Sequence, residues 1–186
     1  LTVGKIKKTQ KRKNEKTPRL HFIKEHKTME NNKGFVLPSR LQELGTDIGE
    51  HELKYHNRRV LVSKEFTFDA AHHLHAYNGK CGNLHGHTYR VIFGISGFVG
   101  KIGITVDFSE IKKIWKEQIE PQLDHQYINQ SLPKMNPTAE NIVVWIYEQM
   151  GKALEGNELA ARVEFVRLYE TPTSFAEARR EWMEDN

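Results

Sequence analysis

Ten histidines occur in 186 residues, and six of them lie between positions 72 and 125. Imidazole is the commonest side-chain metal ligand, and its charge changes near neutral pH. His72 follows Phe66, Phe68 and Ala70 at a spacing of two, and His85 and His87 precede Tyr89, Val91 and Phe93 at the same spacing. Alternate residues of a strand point to one face. Two such strands side by side would bring three rings together at the mouth of a sheet. Three neutral imidazoles with a fourth position open form the ligand pattern of a catalytic Zn²⁺ centre. Gly86, between two candidate ligands, leaves the opposite face free for close packing. His73 has the wrong parity and enters only through a bulge; His75 is a weaker spare. A ligating ring also needs its second nitrogen held by a partner, and the sequence names none.

Other reactive side chains fall around this cluster. Cys81 precedes His85 by four residues. It could complete a closed Cys-His₃ site, or act as a thiolate base or nucleophile beside an open metal. A plain buried thiol is the bland alternative. In the pair Asp124-His125, a carboxylate can orient an imidazole for proton transfer. Glu170 ends a run of period two, where a carboxylate can take two N–H donors from a guanidine-like ring edge. Asp107 ends a strand-like run and fits better as the N-cap of the helix that follows.

The elements that must carry these residues follow from periodicity. Val60 to Ala70 alternates as a strand, then comes a polar loop with a turn signal at Asn78-Gly79. His85 to Ile95 reads as a second strand, antiparallel to the first, and Ile104 and Val106 prolong or restart it. Ile111, Ile114, Trp115 and Ile119 form a helical stripe over Ser109–Glu120, ended by Pro121. Residues 122–137 read as mostly irregular. Thr138 caps a helix carrying Ile142, Val143, Ile146, Met150 and Leu154, which stops at Gly156. Ala161 to Tyr169 is another strand, and Phe175 to Met183 looks helical or frayed. An antiparallel sheet with two helices on one face is an α+β plan. So small a sheet leaves open edges, which neighbouring subunits could close.

Composition bounds the rest. Apolar residues make up 38% and charged residues 28%, as in an ordinary globular domain with or without a tail. One cysteine excludes a disulfide-stapled fold. No stretch approaches the roughly 20 apolar residues of a membrane span, and the first residues lack the apolar core of a secretory signal. A reducing interior, the cytoplasm, is the expected compartment. The chain holds 28 basic and 24 acidic residues, of which residues 1–33 take eleven and three. Residues 34–186 therefore carry 17 and 21, a net of −4. The basic character belongs to the first segment, so nucleic-acid binding is expected, if at all, only there. The expected organisation is a disordered basic tail over 1–33, a linker or short arm over 34–59, and a catalytic domain over 60–186.

Taken in order, several stretches resemble the 6-pyruvoyl-tetrahydropterin synthase family, and within it the queuosine-pathway branch of 6-carboxy-5,6,7,8-tetrahydropterin synthases. They are Phe68-Asp69-Ala70-Ala71-His72, Cys81-Gly82-Asn83-Leu84-His85-Gly86-His87, Val106-Asp107-Phe108, Leu123-Asp124-His125, Pro137-Thr138-Ala139-Glu140-Asn141 and Glu170-Thr171. The resemblance implies zinc ligation by His72, His85 and His87, with Cys81 as catalytic thiol and Asp124 and His125 as a second proton-transfer pair. It implies that Glu170 anchors a pterin ring with Thr138 nearby. It also implies the tunnelling fold, in which trimers close a barrel, two trimers stack, and active sites lie between subunits.

The implied substrate is 7,8-dihydroneopterin triphosphate. One branch of the family releases acetaldehyde and triphosphate from it, and the other eliminates triphosphate. Only three residues separate Cys81 from His85; the resemblance associates that short spacer with the first branch. Lys80 and Arg90 are candidates for holding the triphosphate. Two features depart from the family: residues 1–59 have no counterpart in it, and the helical look of Ser174–Arg180 stands where a final strand is usual. A non-enzymatic alternative is a zinc-stapled domain with an RNA-binding basic tail.

Overall fold

The computed structural model describes residues 49–156 and 160–184. The expected basic tail, and the arm as far as residue 48, lie outside the described residues. Five strands form one open sheet: β1 (Arg59–His72), β2 (His85–Phe98), β3 (Gln126–Tyr127), β4 (Arg162–Thr171) and β5 (Ser174–Arg179), in the order β3-β1-β2-β4-β5. The helices are α1 (Phe108–Ile114), α2 (Ile128–Ser131), α3 (Ala139–Leu154) and α4 (Arg180–Met183). The architecture is the expected α+β plan. No described helix is long and apolar enough to cross a membrane.

β1 and β2 pair antiparallel along their whole length, with Phe68 opposite Tyr89, Ala70 opposite His87 and His72 opposite His85. That register puts the apolar alternation of both strands on one face. Phe68, Tyr89, Val91, Phe93 and Ile95 are buried there with Trp115 and Ile119, which follow α1 in the chain, and with Ile142, Ile146 and Met150 of α3. Phe66 stacks on Trp115 at 5.0 Å between ring centroids, and Phe68 on Tyr89 at 4.8 Å. Each such pair adds about 0.5–1.5 kcal/mol beyond area burial. This packing makes a firm floor under the histidine end of the hairpin. Gly86 behaves as expected: a Cβ there would sit 3.0 Å from the Ala70 carbonyl oxygen.

Three expectations are corrected. Ile104 and Val106 form no strand; the chain turns there, with Gly103 at φ +84°. The helical run after Phe108 does not stay α-helical. It widens to a π-turn over Trp115–Ile119 and tightens to a 3₁₀ turn over Glu120–Gln122, where Pro121 sits near its start. Residues 122–137 are mostly irregular, as expected, and hold β3, parallel to β1 at Ala70 and Ala71, and the short α2. Ser174–Arg179 is a strand rather than a helix. Ala176 and Ala178 lie opposite Leu168 and Val166 of β4, and Arg167 and Arg179 both donate Nε–H to Glu177. Cross-strand pairing and these ion pairs override the helical propensity of the alanines and glutamates. The final strand usual in the resembled family is therefore present. On its other side, β3 pairs with β1 only at Ala70 and Ala71, so among the described residues most of that edge has no neighbouring strand.

Candidate active site

The register of β1 and β2 brings the three predicted imidazoles together. Ring centroids are 4.5 Å apart for His72 and His85, 5.2 Å for His72 and His87, and 5.0 Å for His85 and His87. One nitrogen from each ring falls within 4.8 Å of the others. His72 is the deepest, 1% exposed.

The partners that the sequence did not reveal are backbone carbonyls. His72 Nδ1 lies 2.8 Å from Pro137 O, and His85 Nδ1 lies 2.8 Å from Asn83 O. A carbonyl only accepts, so each ring carries its proton on Nδ1. In neutral rings the two Nε2 atoms are then bare, yet they face each other at 3.1 Å. His87 Nε2 is buried with no hydrogen-bond partner. Burial pushes the pKa of both His72 and His87 below the usual histidine value, which favours the neutral, ligating form. Two rings with bare inward nitrogens and far nitrogens held by carbonyls, beside a third ring with no hydrogen-bond partner at Nε2, suit a divalent cation. The donor set therefore fits a metal ion.

Two oxygens border this cluster. Glu170, at the end of β4, places Oε1 3.6 Å from His72 Nε2 and 3.9 Å from His87 Nε2. The Tyr89 hydroxyl is 3.4 Å from His72 Nε2. Burial, with the negative charge of Glu170 second, pushes the Tyr89 phenol far above its usual range, so it stays neutral. Sequence reasoning missed Tyr89 as part of the site because its parity also fits a core position, which it fills as well.

Cys81 lies in a short 3₁₀ turn over Lys80–Gly82, half-buried, and its carbonyl accepts the Leu74 N–H at 2.8 Å. Its sulfur is not one of the converging ligand atoms. Asp124 and His125 sit at the other edge of β1. Asp124 Oδ1 accepts the Asp69 N–H at 3.1 Å and lies 3.0 Å from His125 Nδ1. The His125 N–H donates in turn to Asp69 O at 2.6 Å. His125 adopts φ +57°, the left-handed region that a non-glycine residue occupies at some cost. The Asp69 backbone hydrogen bond holds the Asp124 carboxyl below the ordinary carboxylate range, so it remains an anion that orients the ring. His125 opens onto a cleft of about 570 Å³ lined also by Asp69, Thr88, Gly86, His87 and Tyr127. Among the described residues, no hydrogen bond or ion pair joins the Cys81 thiol to Asp124 or His125. Thr138 caps α3, its hydroxyl accepting the Asn141 N–H at 3.4 Å, and Asp107 caps α1, accepting the Ser109 N–H at 2.7 Å.

The family model described as 6-pyruvoyl tetrahydropterin synthase matches residues 61–181, which include every one of these site residues. The chain belongs to the 6-pyruvoyl tetrahydropterin synthase family. Among its relatives, the 6-carboxy-5,6,7,8-tetrahydropterin synthase of Haemophilus influenzae is 36% identical over 140 residues, covering 62% of this chain and 96% of that protein. The protein of the same name from Synechocystis is 37% identical over 98 residues, half of this chain and 76% of its own length. The fold agrees with the Caenorhabditis elegans 6-pyruvoyl tetrahydropterin synthase at a TM-score of 0.59 and 22% identity, covering 66% of this chain and 96% of that one. The expected resemblance and the expected fold of the single chain are both borne out. In one chain of this synthase family member the sheet stays open.

Proposed function

We propose that this chain is a zinc-dependent lyase that converts 7,8-dihydroneopterin triphosphate to 6-carboxy-5,6,7,8-tetrahydropterin, releasing acetaldehyde and triphosphate, in the cytoplasmic biosynthesis of queuosine and related 7-deazaguanines. The observation that carries it is the convergence of one ring nitrogen each from His72, His85 and His87, with the Nε2 atoms of His72 and His85 left bare by their carbonyl partners. The short Cys81–His85 spacer and the names of the relatives from Haemophilus and Synechocystis favour this branch.

His72, His85 and His87 would hold the zinc, which when bound supplies a Lewis acid that acidifies protons beside a developing carbonyl. Cys81, as thiolate, takes one such proton. His125 moves another through Nε2, because Nδ1 is engaged with Asp124. Glu170 accepts N–H donors of the pterin edge, with Thr138 nearby. Three subunits close the barrel through their open edges, and two trimers stack. Active sites then lie between subunits, with Asp124 and His125 serving a neighbour's Cys81.

The test is incubation of the purified full chain with 7,8-dihydroneopterin triphosphate, with acetaldehyde as the readout. Acetaldehyde in step with triphosphate is the expected result. Triphosphate with a 6-pyruvoyl product and no acetaldehyde would assign the other branch. The Cys81→Ala protein should keep its metal and lose turnover; loss of metal and fold together would mark Cys81 as a structural ligand.

A further inference from the structure

Just beyond His72 the chain leaves the sheet, yet its backbone stays paired. The His73 N–H donates to Asn129 Oδ1 at 3.0 Å, and Asn129 Nδ2 donates back to His73 O at 2.9 Å. Two residues on, the His75 N–H donates to Asn136 Oδ1 at 2.8 Å, and Asn136 Nδ2 donates back to His75 O at 3.2 Å. Residues i and i+2, each exchanging both backbone bonds on one edge, are what an antiparallel neighbour strand would satisfy. A carboxamide offers one acceptor beside its donors, so it can stand in for a peptide group. Where β3 stops, two asparagine side chains continue as a surrogate strand.

Asn136 does more than pair an edge. Its own carbonyl accepts Asn141 Nδ2 at 2.8 Å and the Thr138 N–H at 2.8 Å, fixing the start of α3. The next residue supplies the carbonyl that holds His72 Nδ1. One residue thus joins the chain leaving His72, the capped end of α3 and the oxygen that sets the His72 tautomer.

We infer that Asn136, assisted by Asn129, is a positioning residue for the metal centre, holding Pro137 O against His72 so that His72 Nε2 stays bare and aimed inward. The inference rests on reading the histidine cluster as a metal site. Neither asparagine is a ligand; each acts through His72. Partners of this outer kind commonly govern metal affinity by about 10–100-fold.

The test uses the full chain and two readouts that do not depend on turnover. Zinc or cobalt affinity is measured by chelator competition, and the His72 tautomer by long-range ¹H–¹⁵N NMR of the metal-free protein. Asn136→Ala should weaken metal binding about 10–100-fold and turn a single Nδ1–H tautomer of His72 into a mixture. Asn136→Asp, which keeps the acceptor for His75 N–H, should recover part of both. Asn129→Ala, further from Pro137, should cost only a few-fold. If Asn136→Ala does not fold, Asn141→Ala, which removes one bond to the Asn136 carbonyl, should show the same pair of changes at smaller size. A lower melting temperature with unchanged affinity and tautomer would overturn the inference and leave Asn136 a brace. A wild-type protein with no measurable metal affinity would overturn the metal-centre reading itself. Absent acetaldehyde with a weakened Asn136→Ala site would sink only the proposed reaction.

Discussion

The chain assembles two sets of imidazoles in opposite ways. At the end of the β1–β2 hairpin, His72, His85 and His87 form a closed group, and the far nitrogens of His72 and His85 are tied to backbone carbonyls of the same subunit. At the β1–β3 edge, His125 is 77% exposed, anchored by Asp124 and the Asp69 backbone but turned outward. The first region brings together, within one chain, three ring nitrogens that could hold a metal ion. The second holds an imidazole oriented by Asp124, and among the described residues no hydrogen bond or ion pair joins it to Cys81. Under the proposed function, metal binding would be a property of the subunit and proton transfer a property of the assembly.

The largest break in that contrast should come from His87→Ala. Removing one of three ligands should lower metal affinity about 10²–10⁴-fold, one ligand's share of the roughly 10–16 kcal/mol that a zinc site supplies. Metal analysis after dialysis would show it, and turnover should vanish with the metal. His125→Ala should instead leave metal content unchanged while the rate falls about 10²–10⁴-fold. Mixing the two inactive variants under conditions that exchange subunits should restore measurable turnover. Failure to complement, with exchange verified, would place both regions in the service of a single subunit's site.

Smaller effects sharpen the same division. Thr138→Ala removes the cap of the helix whose preceding carbonyl holds His72. It should cost about 1 kcal/mol in urea unfolding, whereas removing the outward His125 should leave stability nearly unchanged. The smallest change is in acid. The folded pKa of Asp124 is depressed, so its hold on His125 is complete above the usual carboxylate range and is lost only as pH falls through that lower value. A ¹³C titration should place its midpoint below the ordinary 3.8. A midpoint at or above that value would mean that the Asp69 N–H does not hold the carboxylate.

Much of this was legible in the residues. Period two from Phe66 to His72 and from His85 to Phe93 foretold both strands and the shared face of the three rings, because strand geometry fixes the direction of alternate side chains. The caps at Asp107 and Thr138 were equally legible, since a short polar side chain before an apolar helical stripe has one favourable use. The helical look of Ser174–Arg180 misled, because local propensity favours helix there and only pairing with β4 decides for a strand. β3 was hidden for the same reason: two residues carry no period.

By itself, the sequence determined which residues could ligate, which faces they would share, and which family's chemistry they match. It could not determine what holds the rings. Pro137 O and Asn83 O are atoms that every residue possesses, so no residue type announces them. Asn136 becomes meaningful only where the chain after β1 folds back alongside it. Side-chain identity is written locally, but the tautomer and aim of an imidazole depend on which backbone oxygen lies 2.8 Å away, and that oxygen is brought there by a segment 65 residues further along for His72.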